Sequence, residues 1–156
     1  MASKKKDKKE IIQVTAEELL SLMGTKALAE ITEDKEEGAF TVSIKTEEET
    51  GLLIGRRGET LASIQTALSL IVRQKLGDWE RIVVNIGDWR EKEEERIKLL
   101  AEGAAERAKE TKEPQPLYNL TAAQRRIVHL FLSENDEVET ESVGEGEERY
   151  LVVKPK

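Results

Sequence analysis

In Gly51-Leu52-Leu53-Ile54-Gly55-Arg56-Arg57-Gly58-Glu59-Thr60-Leu61 a short apolar run leads into Gly-Arg-Arg-Gly and out into an amphipathic stretch. Glycine on both sides of a two-residue insert suits a sharp connection between helices, because it tolerates backbone angles closed to other residues. The missing side chains also let a phosphate approach the backbone. There the following helix presents unpaired amides and the positive end of its dipole. Arg56 and Arg57 add charge and forked donors for phosphate oxygens. The alternative is a helix corner in which glycine serves only the turn.

The flanks fit a helical corner inside a mixed fold. Thr50 to Ile54 predict a short helix ending at Gly55. A longer one follows Gly58, with Leu61, Ile64, Leu68, Ile71 and Val72 spaced by three and four as its buried stripe and Gly77 beyond its end. Upstream, Val14 and Leu19 are spaced as a hydrophobic staple around the capping box Thr15-Ala16-Glu17-Glu18, predicting a helix from about Ala16 to Gly24. Ala27, Ala29 and Ile31 alternate as in a strand, as do Phe40, Val42 and Ile44, with a turn at Glu33 to Gly38 between them. Ile82, Val84 and Ile86 mark a third strand. The order is helix, strand, strand, helix, helix, strand.

A second unit begins near residue 89. Arg90 to Lys109 predict a charged helix that buries Ile97, Leu100, Ala101, Ala104, Ala105 and Ala108. Pro114-Gln115-Pro116 breaks it, and a second capping box, Thr121-Ala122-Ala123-Gln124, opens a helix to about Leu132. Val138 to Val143 and Arg149 to Val153 predict a hairpin around Gly144-Glu145-Gly146. The last helix carries Arg125-Arg126-Ile127-Val128-His129. Arg125 and His129 are four apart and share a face, with Ile127, Leu130 and Phe131 expected on the buried side. A guanidinium and an imidazole on one face can hold a phosphate together; the alternative is a surface pair that orders its neighbours.

Composition narrows the function classes. The chain has 156 residues, 38% apolar and 37% charged, enough for one ordinary domain or two small ones with thin cores. With no cysteine, disulfides and thiolate metal sites are excluded. No apolar run approaches the about 20 residues of a membrane span, and Met1 to Glu10 are lysine-rich with no secretory signal after them; a cytoplasmic protein is expected. The net charge of −7 argues against a surface that coats nucleic acid. Residues 51–90 are nevertheless net positive, an island that suits a small, selective contact. The acidic runs Glu47-Glu48-Glu49 and Glu93-Glu94-Glu95 read as solvated charge. A nucleotide-hydrolysing P-loop would need Gly-x-x-x-x-Gly-Lys-Ser/Thr, which is absent. No catalytic residue, metal ligand or cofactor is expected. Trp89 reads as packing, and Tyr118 and Tyr150 have no positional argument.

The element order with Ile-Gly-x-x-Gly between adjacent helices resembles a type II KH domain. Long helix, proline break, helix with Arg-x-x-x-His and terminal strand pair resemble the R-3-H domain, named for an arginine and a histidine with three residues between. The matches Gly51 to Leu61, Arg125-Arg126-Ile127-Val128-His129-Leu130 and Val138-Glu139-Thr140 together resemble the Jag proteins of bacteria, also called KhpB or SpoIIIJ-associated proteins. The resemblance implies an α+β fold: a disordered basic tail at 1–10, a type II KH domain (αββααβ) at 11–88 and an R-3-H domain at 89–156. Many family members carry an extra N-terminal domain; here only Met1 to Glu10 are expected before the KH unit.

In KH domains the glycine loop clamps the backbone of about four nucleotides. The resemblance therefore implies single-stranded RNA at Ile54, Gly55, Arg56, Arg57 and Gly58, and at Arg125, Arg126 and His129, with single-stranded DNA left open as a ligand. Leu52, Leu53 and Ile64 are further candidates for an apolar groove beside the loop. It also implies post-transcriptional control and a small single-KH protein partner. A protein-interaction scaffold whose KH fold binds RNA weakly or not at all is the rival reading. Basic residues at both motifs predict a slope of log affinity on log salt of about −3, and His129 on phosphate predicts stronger binding as pH falls.

Overall fold

The computed structural model describes residues 2–156, with side chains from Asp7 onward. It divides into two compact units, Met1–Trp89 and Arg90–Lys156.

The first unit runs α1 (Ala2–Leu22), β1 (Leu28–Asp34), β2 (Ala39–Lys45), α2 (Thr50–Ile54), a 3-10 turn (Arg56–Gly58), α3 (Glu59–Leu76) and β3 (Arg81–Ile86). β1 and β2 form an antiparallel hairpin, and β2 pairs with β3 in parallel. A parallel pair needs a crossover, and α2 and α3 supply it, so the glycine loop lies in the crossover. Register puts Ile31, Val42 and Val84 in one row across the sheet, and Ala29, Ile44 and Ile86 in the next. All six are buried, whereas Thr41 and Ser43 between them are half-exposed. Leu61, Ile64, Leu68 and Val72 of α3 and Ile12, Ala16 and Leu20 of α1 complete that core. Ile71, expected in the stripe of α3, is 38% exposed.

The start of the chain departs from expectation. Met1 lies outside the described residues, but Ala2–Glu10 are helical rather than a disordered tail, and α1 runs unbroken through Thr15. Lysine, glutamate and alanine are good helix formers, so lysine richness alone does not end a helix. Lys8 is also ion-paired to Glu80, which ties this stretch to the lead-in of β3. Thr15 is not a cap. It is buried in mid-helix, and its hydroxyl accepts from Lys75 Nζ at 3.1 Å, while the same ammonium reaches Glu18 at 3.4 Å. Val14 is 44% exposed, so the staple with Leu19 does not form.

The second unit runs α4 (Trp89–Thr111, its first residue counted with the first unit), β4 (Gln115–Leu117), α5 (Ala122–Leu132), β5 (Val138–Val143), a 3-10 turn (Gly146–Glu148) and β6 (Tyr150–Pro155). Its sheet has the order β4-β6-β5, antiparallel throughout. The proline pair brackets the start of the short strand β4, where Pro116 sits at a sheet edge and its missing N–H costs nothing. The alanines of α4 with Ile97 pack around Val128, Leu132, Leu117, Val138, Leu151 and Val153. On α5 the buried face is Gln124, Val128 and Leu132, four apart. Ile127 is only partly buried, and Leu130 and Phe131 are exposed, against expectation. A face set by the buried i, i+4 series places Leu130 about 160° from Val128. Among the described residues no helix is long and apolar enough to cross a membrane.

Candidate nucleic-acid interface

The Gly-x-x-Gly loop is held by backbone geometry that only glycine permits. Gly55 closes α2 through its N–H to the Gly51 carbonyl at 3.0 Å, with φ 72° and ψ −174°, a region essentially confined to glycine. A Cβ on Gly55 would overlap Thr60, and one on Gly58, at φ 77°, would run into the indole of Trp89. The protein's own side chains thus fill the inner side of the loop. Trp89 is half-buried against the core of its unit, as its packing role predicts. Between the glycines, Arg56 and Arg57 are exposed. Arg57 adopts φ 55° and ψ 26°, left-handed and costly for a residue with a Cβ. α3 then starts at a glycine N-cap with no side-chain capping bond, and the N–H of its first residue, Glu59, bonds back to the Arg56 carbonyl.

Beside the loop, Ile54 is half-buried on the core and Leu52 is 67% exposed. Leu53 and Ile64 belong to the core and do not floor a groove.

The second site is made of side chains on α5. The capping box predicted at Thr121 is present: Gln124 N–H donates to Thr121 Oγ1 at 3.2 Å, and Thr121 N–H to Gln124 Oε1 at 2.9 Å. Gln124 Nε2 also donates to Glu93 of α4 at 2.9 Å, and Arg96 forks onto the same carboxylate at 2.6 and 3.0 Å. The hydrogen-bonded Arg96 guanidinium holds the Glu93 carboxyl below its ordinary value; burial opposes this, and the Gln124 bond adds to it. This chain of contacts fixes the turn that presents Arg125. The Arg125 guanidinium donates to the carbonyls of Leu120 at 2.7 Å and Arg149 at 3.4 Å, one turn from His129. His129 is exposed, and its Nδ1 is 2.6 Å from Thr140 Oγ1 on β5. A threonine hydroxyl either donates or accepts, so this contact holds the ring in either tautomer. Arg126 is exposed on the neighbouring face.

The sequence pattern locates both motifs but misses their supports. Trp89 under Gly58 and Glu93 behind Gln124 are contacts across the fold, invisible to local spacing, and Thr60 under Gly55 is local but has no role that spacing assigns. Thr140 stands in one of the quoted matches, where spacing gives it no role. Among the described residues no group of three acidic, histidine or cysteine side chains is placed to hold a metal.

Comparison with known proteins agrees with the fold and the order of the two units. Residues 7–86 match the family model described as KhpA/KhpB, KH domain, and residues 95–155 match the model of the R-3-H domain. A Clostridium symbiosum protein named RNA-binding protein KhpB is 33% identical over 117 residues, covering 75% of this chain and 52% of that protein. Its namesake from Bacillus subtilis (strain 168) is 34% identical over 113 residues, covering 71% and 54%. The chain spans about half the length of these curated relatives. The α+β fold, the glycine loop in the crossover and the Arg-x-x-x-His helix place the chain in the KhpA/KhpB KH-domain family, with an R-3-H domain following the KH domain.

Proposed function

We propose that the chain is a non-enzymatic protein that holds single-stranded RNA by its backbone at two places. Gly55, Arg56, Arg57 and Gly58 grip one stretch with Ile54 as the flanking apolar contact, and Arg125, Arg126 and His129 grip another. The observation that carries this is the loop itself: side chains of the protein fill the space behind both glycines, while two arginines between them face solvent. The names of the relatives support RNA as the ligand. Each site is small, so one strand crossing both gains through effective concentration. The setting that fits is post-transcriptional control in a bacterial cytoplasm, with a small single-KH protein as partner.

The test is fluorescence anisotropy with a random single-stranded RNA pool. Wild type is measured beside Arg56→Asp/Arg57→Asp and Arg125→Ala/His129→Ala, with single-stranded DNA as competitor. Weakening in both variants with the fold intact is the expected result, with a salt slope of about −3. No binding by wild type at low salt would leave a protein-interaction scaffold as the better reading.

A further inference from the structure

Tyr118 and Tyr150 form an aromatic pair close to the Arg125 contacts, with Tyr118 exposed and Tyr150 half-buried. Leu117 of β4 and Leu151 of β6 face each other in register and are buried, and Tyr118 and Tyr150 adjoin this pair at the end of the two strands. Their ring centroids are 4.9 Å apart with the planes tilted by 42°, and Tyr118 is 61% exposed. The ring of Tyr150 braces one side of Tyr118 and leaves most of the other to solvent. The Arg125 guanidinium donates to the carbonyl of Arg149, the residue before Tyr150. The carbonyl that Arg125 holds is thus joined by one peptide bond to Tyr150.

The local charge says what the rings add. Arg125, Arg126 and Arg149 are balanced by Glu145, Glu147 and Glu148 in the adjoining turn. Coulombic attraction to phosphate is weak where charges cancel, and a second kind of contact is needed to hold a strand. Every base has a π-face, and stacking on an aromatic side chain is sequence-tolerant and insensitive to net charge.

We propose that Tyr118, braced by Tyr150, is a stacking platform for a nucleobase adjoining the phosphate held at Arg125. This rests on the reading of the second unit as a nucleic-acid site. It makes that unit hold bases as well as backbone, with little preference among sequences.

The experiment uses the full chain carrying Arg56→Asp/Arg57→Asp, so that the second unit dominates the signal. Two fluorescein-labelled probes are compared: a mixed-sequence single-stranded RNA dodecamer and an abasic ribose-phosphate dodecamer. Tyr118→Ala is expected to weaken the RNA probe about tenfold and to leave the abasic probe unchanged, while Tyr118→Phe retains wild-type affinity for both. Arg125→Ala is expected to weaken both probes. If Tyr118→Ala weakens both equally, or neither, while Arg125→Ala weakens both, the stacking platform is wrong and the phosphate site stands. If Arg125→Ala changes neither, the nucleic-acid reading of this unit falls, and the platform with it.

Discussion

The loop at residues 55–58 and the helical face at Arg125 and His129 present cations by opposite means. In the first unit the backbone is the scaffold. Two glycines at positive φ turn the chain, and Trp89 and Thr60 fill the space behind them. Arg56 and Arg57 are exposed on that turn. In the second unit the backbone is an ordinary capped helix, and the geometry lies in side-chain bonds: Arg125 to two carbonyls, His129 to Thr140, Gln124 to Glu93. A backbone-built site fails when a Cβ is added, and a side-chain-built site fails when an atom is removed.

Gly58→Ala tests the first half of that contrast with the largest expected effect. The new Cβ meets the Trp89 ring and must also sit at φ 77°. Urea unfolding should show a loss of about 3 kcal/mol, and RNA affinity should fall more than tenfold. Adding Trp89→Ala removes the collision but not the backbone strain. The double variant should therefore lose less than the sum of the two single ones, a coupling read from the mutant cycle. A Gly58→Ala variant as stable as wild type would show that the loop is not fixed by its backbone.

Arg57→Gly and Arg125→Ala sharpen the comparison. Arg57 sits at φ 55°, so glycine there relieves strain and should raise stability by about 1 kcal/mol while removing a phosphate donor. Arg125→Ala strips hydrogen bonds from the carbonyls of Leu120 and Arg149 and should lower stability by about 1 kcal/mol. Both variants should weaken RNA binding several-fold. Affinity and stability thus move in opposite directions in the loop and together on the helix; the same sign at both places would erase the distinction.

His129 is the second side chain on the helix whose loss should weaken binding. His129→Gln should lower RNA affinity several-fold and leave the contribution of Arg56 and Arg57 unchanged. Unchanged affinity in His129→Gln would remove His129 from the phosphate contact. Thr140→Val, which leaves Nδ1 without this hydroxyl, should weaken binding by about twofold, a fraction of a net hydrogen bond.

Local chemistry makes much of this architecture legible. Thr50 to Ile54, the left-handed Gly77 cap, the alternation of β2 and β3 and the capping box at Thr121 each depend on residues within a few positions of one another. The departures share a different cause. Thr15 has the spacing of a cap relative to Glu18, yet tertiary burial and Lys75 make it an interior residue. Leu130 and Phe131 have the apolar character of a buried face, yet the polar Gln124 occupies the inner side since Glu93 satisfies its amide. The lysine-rich start has the charge of a tail, yet helix propensity and continuity with α1 outweigh it. That Trp89 packs is legible from its place in the chain, but that it packs on a glycine of the loop needs the fold.

The smallest effect probes the remote end of the side-chain-built site. Glu93 is held below its ordinary value chiefly by Arg96, and Gln124 also bonds its carboxylate. The folded state therefore releases the proton of Glu93 more readily than the unfolded chain does. The resulting stability is fully present above the unfolded value and is lost as pH falls through the folded one. Glu93→Gln keeps an acceptor for Gln124 but has no charge to titrate. Wild type should exceed the variant at pH 7 by less than about 1 kcal/mol, because Arg96 is more than half exposed and screened. The gap should close as pH falls below the ordinary carboxylate range. A gap independent of pH would mean that the Arg96 pairing does not support α5. If the pairing does position Gln124, the variant's small loss of stability at neutral pH should come with a small loss of affinity at Arg125, whereas the Gly-x-x-Gly loop, held by its own backbone, should not register the change.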